Sequence, residues 1–258
     1  MSSAVRRPDG PAAVAVVIPA KDEAARIAAT VDAATRIAGV DLVVVVDDGS
    51  SDGTARVAAD AGALVVGHLR NRGKAAAMET GAAAVAARDG DAGGRPDGRT
   101  RAPRHLLFVD ADLGATALNT APLTLPVLAG TADMTIAVLP PQSAPGGGRG
   151  LVVNLARAGI LAETGWTATQ PLSGMRCLTR EAFEAARPLA RGWGVETALT
   201  IDLLQAGYRI TEVPCELHHR VTGTDLAAQL HRARQYRDVA RAVAARRARR
   251  LLRGPGRG

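Results

Sequence analysis

Asp110-Ala111-Asp112 places two carboxylates one residue apart. A turn can bring both onto one hard cation such as Mg2+ or Mn2+, which binds oxygen ligands together with a substrate's phosphates. A strand that merely ends in turn-forming aspartates shows the same pattern, so the pair gains weight only from its company. Asp47-Asp48 supplies two more acids, Pro19-Ala20-Lys21-Asp22-Glu23 a lysine among acids, and Arg72-Gly73-Lys74 a second lysine. Lys21 and Lys74 are the only two lysines among 32 basic residues. A position that resists so strong an arginine bias points to a need for a compact ammonium rather than a planar fork.

Each cluster follows an apolar run. Val14 to Ile18 ends at Pro19, and Asp22 is expected to cap a helix continuing to about Arg36. Leu42 to Val46 is a second buried strand, with Ser51 or Asp52 capping a helix to about Ala61. Leu64 to Val66 gives a short third strand, Gly73 to Ala87 an Ala-rich helix, His105 to Val109 a fourth strand and Met134 to Val138 a fifth. This alternation predicts an α/β fold, a parallel sheet covered on both faces with ligands at the carboxyl ends of the strands. The acids and both lysines would then crowd one sheet edge, which is costly unless a ligand bearing base, sugar and phosphates occupies it. A nucleotide diphosphate with a divalent cation fits. The first strand is not followed by GxGxxG, and GxxxxGK[ST] is absent, so neither a dehydrogenase dinucleotide site nor a P-loop is indicated.

Farther on, helices are expected near Leu151 to Glu163, Arg180 to Ala186 and Val195 to Ala206, then strand character from Arg209 to Leu217 broken at Pro214. Asp225 to about Leu252 has the spacing of a helix with one packed stripe. Residues 89–104 read as a solvated excursion without chemistry, and 140–150 as a loop that can close over a ligand.

Composition bounds the rest. At 258 residues and 47% apolar content the chain can form one sizeable domain, and no apolar run approaches a bilayer span. The first residues lack the apolar core of a signal peptide, so the cytoplasm is the expected compartment. Two cysteines argue against a disulfide scaffold and a thiolate zinc site. Ten arginines against Asp238 from Leu226 onward carry +9 of the net +7, leaving −2 for residues 1–225. The excess is one basic tail, either a solvated face or a peripheral contact with anionic lipid. With two Trp, two Tyr and two Phe, the chain lacks the aromatic platforms of a nucleic-acid reader.

The runs VVIPAKDEAARI, VVVVDDGSSDGT, NRGKAAAMETG and LFVDADLG, in that order across residues 14 to 114, resemble the nucleotide-sugar half of GT-A fold glycosyltransferases. The resemblance implies a metal-dependent transfer of sugar from a nucleotide-diphosphate donor. Pro19, Ala20, Glu23 and Asp47 would hold the nucleoside and Lys74 the base or phosphate. Asp112, aided by Asp110, would hold the metal-bound diphosphate. Lys21, Gly73 and Ala111 belong to the same donor site. QPLSGMRCLTREAF, GWGVETALTIDLLQAGYRITEVP and HHRVTGTDL resemble both polyprenyl-phosphate sugar transferases and glucosyl-3-phosphoglycerate synthases, GWGVE favouring the latter. Both take a phosphorylated acceptor. Gln170 stands where the polyprenyl subgroup usually has Asp. By resemblance to the phosphoglycerate subgroup, His219 would be a third metal ligand and Arg220 an acceptor-phosphate contact.

Several roles stay open on the residues alone. Ser173, Gly174 and Arg176 either bind the acceptor or shape a turn, and Trp193 either stacks on sugar or acceptor or packs in the core. Glu196 is the catalytic base for a hydroxyl acceptor or a helix-capping acid. The expected organisation is a flexible segment 1–13, a nucleotide-sugar-binding half 14–138, an acceptor-binding half 139–225 and a basic helix and tail 226–258. A homodimer is compatible with it. The rival of another class is a noncatalytic nucleotide-sugar or polyanion-binding protein. A sugar-phosphate nucleotidylyltransferase would need a glycine-rich loop after the first strand that is missing here.

Overall fold

The computed structural model describes residues 13–91, 102–140, 150–217 and 226–253. Seven strands form one sheet: β1 (Val14–Ala20), β2 (Val40–Asp47), β3 (Leu64–Gly67), β4 (His105–Phe108), β5 (Met134–Val138), β6 (Arg176–Leu178) and β7 (Ile210–Pro214). Their order is β3-β2-β1-β4-β6-β5-β7. All pairings are parallel except those of β6, which runs antiparallel between β4 and β5. The mostly parallel sheet expected from the sequence is borne out, and its antiparallel exception is a three-residue strand, too short to carry a period of its own. Helices α1 (Ile27–Thr35), α2 (Thr54–Asp60), α3 (Lys74–Asp91), α4 (Thr124–Leu128), α5 (Leu151–Thr164), α6 (Arg180–Ala185), α7 (Val195–Gln205) and α8 (Leu226–Arg253) cover it, with 3-10 turns at Gly114–Leu123 and Gly192–Gly194.

The unbroken apolar runs follow from burial on both faces. Val14, Val16 and Ile18 of β1 join the core beneath α1 and the 114–123 turn. Ala15 and Val17, the alternate residues, join the core beneath α3, α6 and α7, where Phe108 and Phe183 pack with centroids 5.5 Å apart. Strand order steps from β3 through β2 to β1 and then jumps to β4, so the topological switch point lies where β1 and β4 end.

Two expected caps are corrected. Asp22 does not open a helix, because its carboxylate accepts the Ser51 N–H at 2.8 Å and α1 starts later, at Ile27. Gly53 precedes α2 in the left-handed conformation, while Asp52 accepts the Thr54 N–H. The basic terminal segment is no loose tail. Arg246, 4% exposed, is bound by Asp202, Arg250 pairs with Glu163 at 2.8 Å, and Val243 lies against Gly159 of α5.

Gly81 of α3 rides over β1, where an added Cβ would lie 2.3 Å from Val17 Cγ1. Alanine is intrinsically the better helix former. Gly81→Ala should nevertheless destabilise by about 1–3 kcal/mol through overpacking, read by urea unfolding; a gain in stability would contradict this packing.

Candidate active site

The loops after β1 and β2 are stitched together by their polar side chains. Asp22 N–H donates to Ser50 Oγ, Glu23 N–H to Thr54 Oγ1 and Ala24 N–H to Asp52 Oδ2, each within 3.0 Å. Lys21 Nζ reaches Asp22 and the Gly49 carbonyl at 2.9 and 3.1 Å. Ala20 and Asp47 are direct partners across β1 and β2, and Asp47 Oδ1 accepts the Ser50 N–H at 3.0 Å. Gly49, with φ of +74°, lets the loop pass so close to Arg70 and Asn71 that a Cβ would sit 2.7 Å from their backbone.

Asp48 holds the third loop. Its carboxylate accepts the Arg72 and Gly73 N–H groups, both at 2.8 Å, and pairs with His68 Nδ1 at 2.7 Å, while His68 Nε2 meets Thr80 Oγ1. Burial opposes its negative charge, but these hydrogen bonds outweigh burial and hold its carboxyl below the usual value. Glycine at 73, with φ of +88°, then delivers Lys74 as the first residue of α3.

Lys74 Nζ stands 2.8 Å from Asp110 Oδ1, at the end of β4, and 3.1 Å from Glu196 Oε1, in the first turn of α7. Burial disfavours the ammonium, yet the two carboxylates more than compensate and raise its pKa. Gly174 abuts this clamp: a Cβ there would lie 2.3 Å from Lys74 Nζ and 2.8 Å from Asp110 Oδ1. Pro19, Ala20, Lys21, Gly73, Lys74, Asp110, Trp193 and Glu196, all expected at the site, line one cavity of about 450 Å3 together with Asp48 and Asn71. Trp193 is 43% exposed and is not packed in the core.

Other expected residues lie differently. Asp47 is 9% exposed and does not line this cavity, nor does Asp112, which is half-buried on the loop after β4. Burial first and then the Asp112 carboxylate push the pKa of Glu23 up, which places Asp112 near the β1 loop. Ala111 is buried and its carbonyl accepts Thr30 Oγ1. Ser173 is 8% exposed, and its hydroxyl has no hydrogen-bond partner among the described residues.

Of the two roles left open for Arg176, the structure has the turn-shaping one rather than the acceptor contact. Arg176 is wholly buried and donates to the carbonyls of Ser173 and Pro171 and to Thr200 Oγ1, at 2.8, 3.0 and 2.8 Å. Burial draws its guanidinium down to about 10, partly offset by Glu196 and Glu212, so it stays charged at neutral pH. It ties the turn bearing Gly174 to the helix bearing Glu196. His219, Arg220 and most of the 140–150 loop lie outside the described residues. Sequence reasoning overlooked Asn71, whose Oδ1 accepts the Gly73 N–H, and the separate duty of Asp48; the NRGK run carried the signal for the first.

Because the folded Asp48 carboxyl titrates below its free value of 3.8, its stabilisation is complete above about pH 4 and is lost as pH falls through the lower, folded value. Asp48→Asn should cost about 1–3 kcal/mol at pH 7 and flatten the loss of stability below pH 4, measured by urea titrations from pH 2 to 7. An unchanged acid limb would contradict the assignment.

Residues 15–150, just over half the chain, match the model of glycosyl transferase family 2. Glycosyltransferase AglJ of Haloferax volcanii is 29% identical over 221 residues, 83% of this chain and 66% of that protein. The glucosyl-3-phosphoglycerate synthase of Mycobacterium tuberculosis is 30% identical over 220 residues, 73% of this chain and 60% of that protein. The chain thus spans less than two thirds of the length of these curated relatives. The crystal structure of that synthase with Mn2+, UDP and glucosyl-3-phosphoglycerate matches with a TM-score of 0.70 at 26% identity, covering 91% of this chain and 80% of that one. Its complex with Mg2+ and UDP matches with a TM-score of 0.70 at 26% identity, covering 91% and 79%. The mostly parallel sheet is that of the GT-A fold, and the chain belongs to glycosyl transferase family 2.

Proposed function

We propose that this chain transfers a sugar from a nucleotide-diphosphate donor to a small phosphorylated acid, with a divalent cation at Asp112. The observation that carries the reading is the single cavity in which Lys74, Asp110, Glu196 and Trp193 meet the first-strand residues Pro19, Ala20 and Lys21. The relatives solved with UDP, Mn2+ or Mg2+ and phosphoglycerate support it.

The residues fit such a cation. Asp112 is half-buried and makes no hydrogen bond or ion pair among the described residues, and its charge presses on Glu23, a repulsion that a cation would relieve. No group of three His, Cys, Asp or Glu able to hold a metal occurs among the described residues, and an ion here would be held by one or two carboxylates together with the donor's phosphates. Asp112 and Asp110 would hold it, with His219 as the third ligand. When bound, the ion stabilises the negative charge gathering on the departing diphosphate.

The chain's own groups do the remaining work. Lys74 brings an ammonium to the phosphates, pre-aimed by Asp110 and Glu196 so that no reorganisation is needed as charge develops. Glu196, which lines the same cavity, would hold the proton of an attacking hydroxyl at Oε. Gln170 takes no part as a base: its amide donates to the Leu139 carbonyl at 2.8 Å and its backbone N–H to Glu212. A lipid phosphate is therefore the less favoured acceptor.

Nucleotide release from UDP-, GDP- and ADP-sugars with Mn2+ and 3-phosphoglycerate tests the reading. Wild type should turn over one donor, and Asp112→Ala should lose about 100-fold or more in kcat/KM with an unchanged unfolding midpoint. Donor binding without turnover on any phosphorylated acceptor would make the chain a noncatalytic nucleotide-sugar binder.

A second reading concerns location. No helix among the described residues is long and apolar enough to cross a membrane. Leu251 and Leu252, however, are 70% and 87% exposed on α8 beside the exposed Arg247 and Arg249. Arginine beside exposed leucine suits an anionic lipid surface. Sedimentation with phosphatidylserine vesicles should exceed that with neutral vesicles and fall in Leu251→Asp/Leu252→Asp; equal sedimentation with both lipids would exclude it.

A further inference from the structure

Helix α8 carries one acid, Asp238, among its arginines. That carboxylate points inward, with 17% of its side chain exposed, and Oδ2 accepts the backbone N–H of Trp193 at 3.3 Å. The glycines on either side of Trp193 are there because the helix lies against them. A Cβ on Gly192, whose φ is +70°, would fall 2.3 Å from Asp238 Oδ2. One on Gly194 would fall 2.6 Å from Ala242 Cβ and 2.7 Å from the Asp238 carbonyl oxygen. The Gly-Trp-Gly turn is thus pressed flat onto α8, and its one side chain goes to the wall of the cavity that also holds Lys74, Asp110 and Glu196.

We propose that Asp238 is a positioning residue for substrate binding: by accepting the Trp193 N–H it fixes the turn that presents the indole to the bound sugar or acceptor and that leads into the first turn of α7, where Glu196 sits. The claim rests on the sugar-transfer reading for what the indole touches, but not for the geometry itself. A carboxylate acceptor on a backbone N–H makes a stronger bond than a neutral one, and this one is largely shielded from water. The energetic consequence is preorganisation: without the bond the turn is ordered only when substrate binds, which raises KM more than it lowers kcat. Arg237 touches the other carboxylate oxygen at 3.2 Å from the solvent side and is not required.

The chain has two tryptophans, so Trp166→Phe leaves Trp193 as the only indole reporter. In that background, Asp238→Ala should shift Trp193 emission to the red and raise acrylamide quenching at least twofold. It should raise the acceptor KM about five- to tenfold while kcat changes less than twofold. Asp238→Asn, which retains an acceptor oxygen, should restore both readouts, and Arg237→Ala should alter neither. Gly194→Ala, which wedges the turn off the helix without touching the carboxylate, should reproduce the Asp238→Ala emission and serves where Asp238→Ala does not fold. Unchanged emission and quenching in both Asp238→Ala and Gly194→Ala would overturn the proposal, as would a folded Asp238→Asn that behaves like Asp238→Ala. Absence of turnover in wild type would instead overturn the sugar-transfer reading and leave the emission result to decide this one.

Discussion

The ammonium of Lys74 is the constraint from which the site follows. It is gripped by Asp110 from the end of β4 and Glu196 from the start of α7, with Gly174 allowing the turn before β6 to close against it. Three elements distant in sequence are thereby held to one point. Two carboxylates on one ammonium leave a net negative charge in a partly buried place, and removing either partner of such a pair typically costs several kcal/mol. Arg176 of β6, wholly buried, supplies a further positive charge and fastens the Gly174 turn to Thr200, one turn on from Glu196 in α7. Charge compensation and backbone tethering are here the same contact.

Around this clamp the first three loops are built from hydrogen bonds rather than from packing. Asp22, Asp48 and Asp52 each spend their oxygens on backbone N–H groups of neighbouring loops. Several of the acids that look surplus in the sequence are therefore scaffolding, whereas Asp112 makes no hydrogen bond or ion pair among the described residues. That division of labour leaves most charges of a crowded acidic edge neutralised internally.

The sheet and the polar loops at its edge were largely legible because their signals are local. Apolar runs ending in Pro19, Asp47 and Asp110 mark strands buried on both faces, and β5 coincides with the segment expected from Met134 to Val138. What escaped depends on contacts between distant residues. β6 has three residues and no period, and the helical turns across 114–128 contain Pro122 and Pro126 and lack an apolar stripe. Asp22 has the composition of a cap but bonds across to Ser51, a choice made by loop packing. Arg176 looks like an anion contact in isolation, and only the surrounding carbonyls of Pro171 and Ser173 show that it faces inward. The C-terminal helix with its packed stripe was legible, but the sequence alone did not show that Asp202 and Glu163 claim Arg246 and Arg250.

A crystal structure of the chain with UDP and Mn2+ tests the central claim most directly. The account predicts a diphosphate within hydrogen-bond reach of Lys74 Nζ, a cation on Asp112, and Glu196 still beside the lysine. A nucleotide bound elsewhere, or a cation ligated without Asp112, would contradict it.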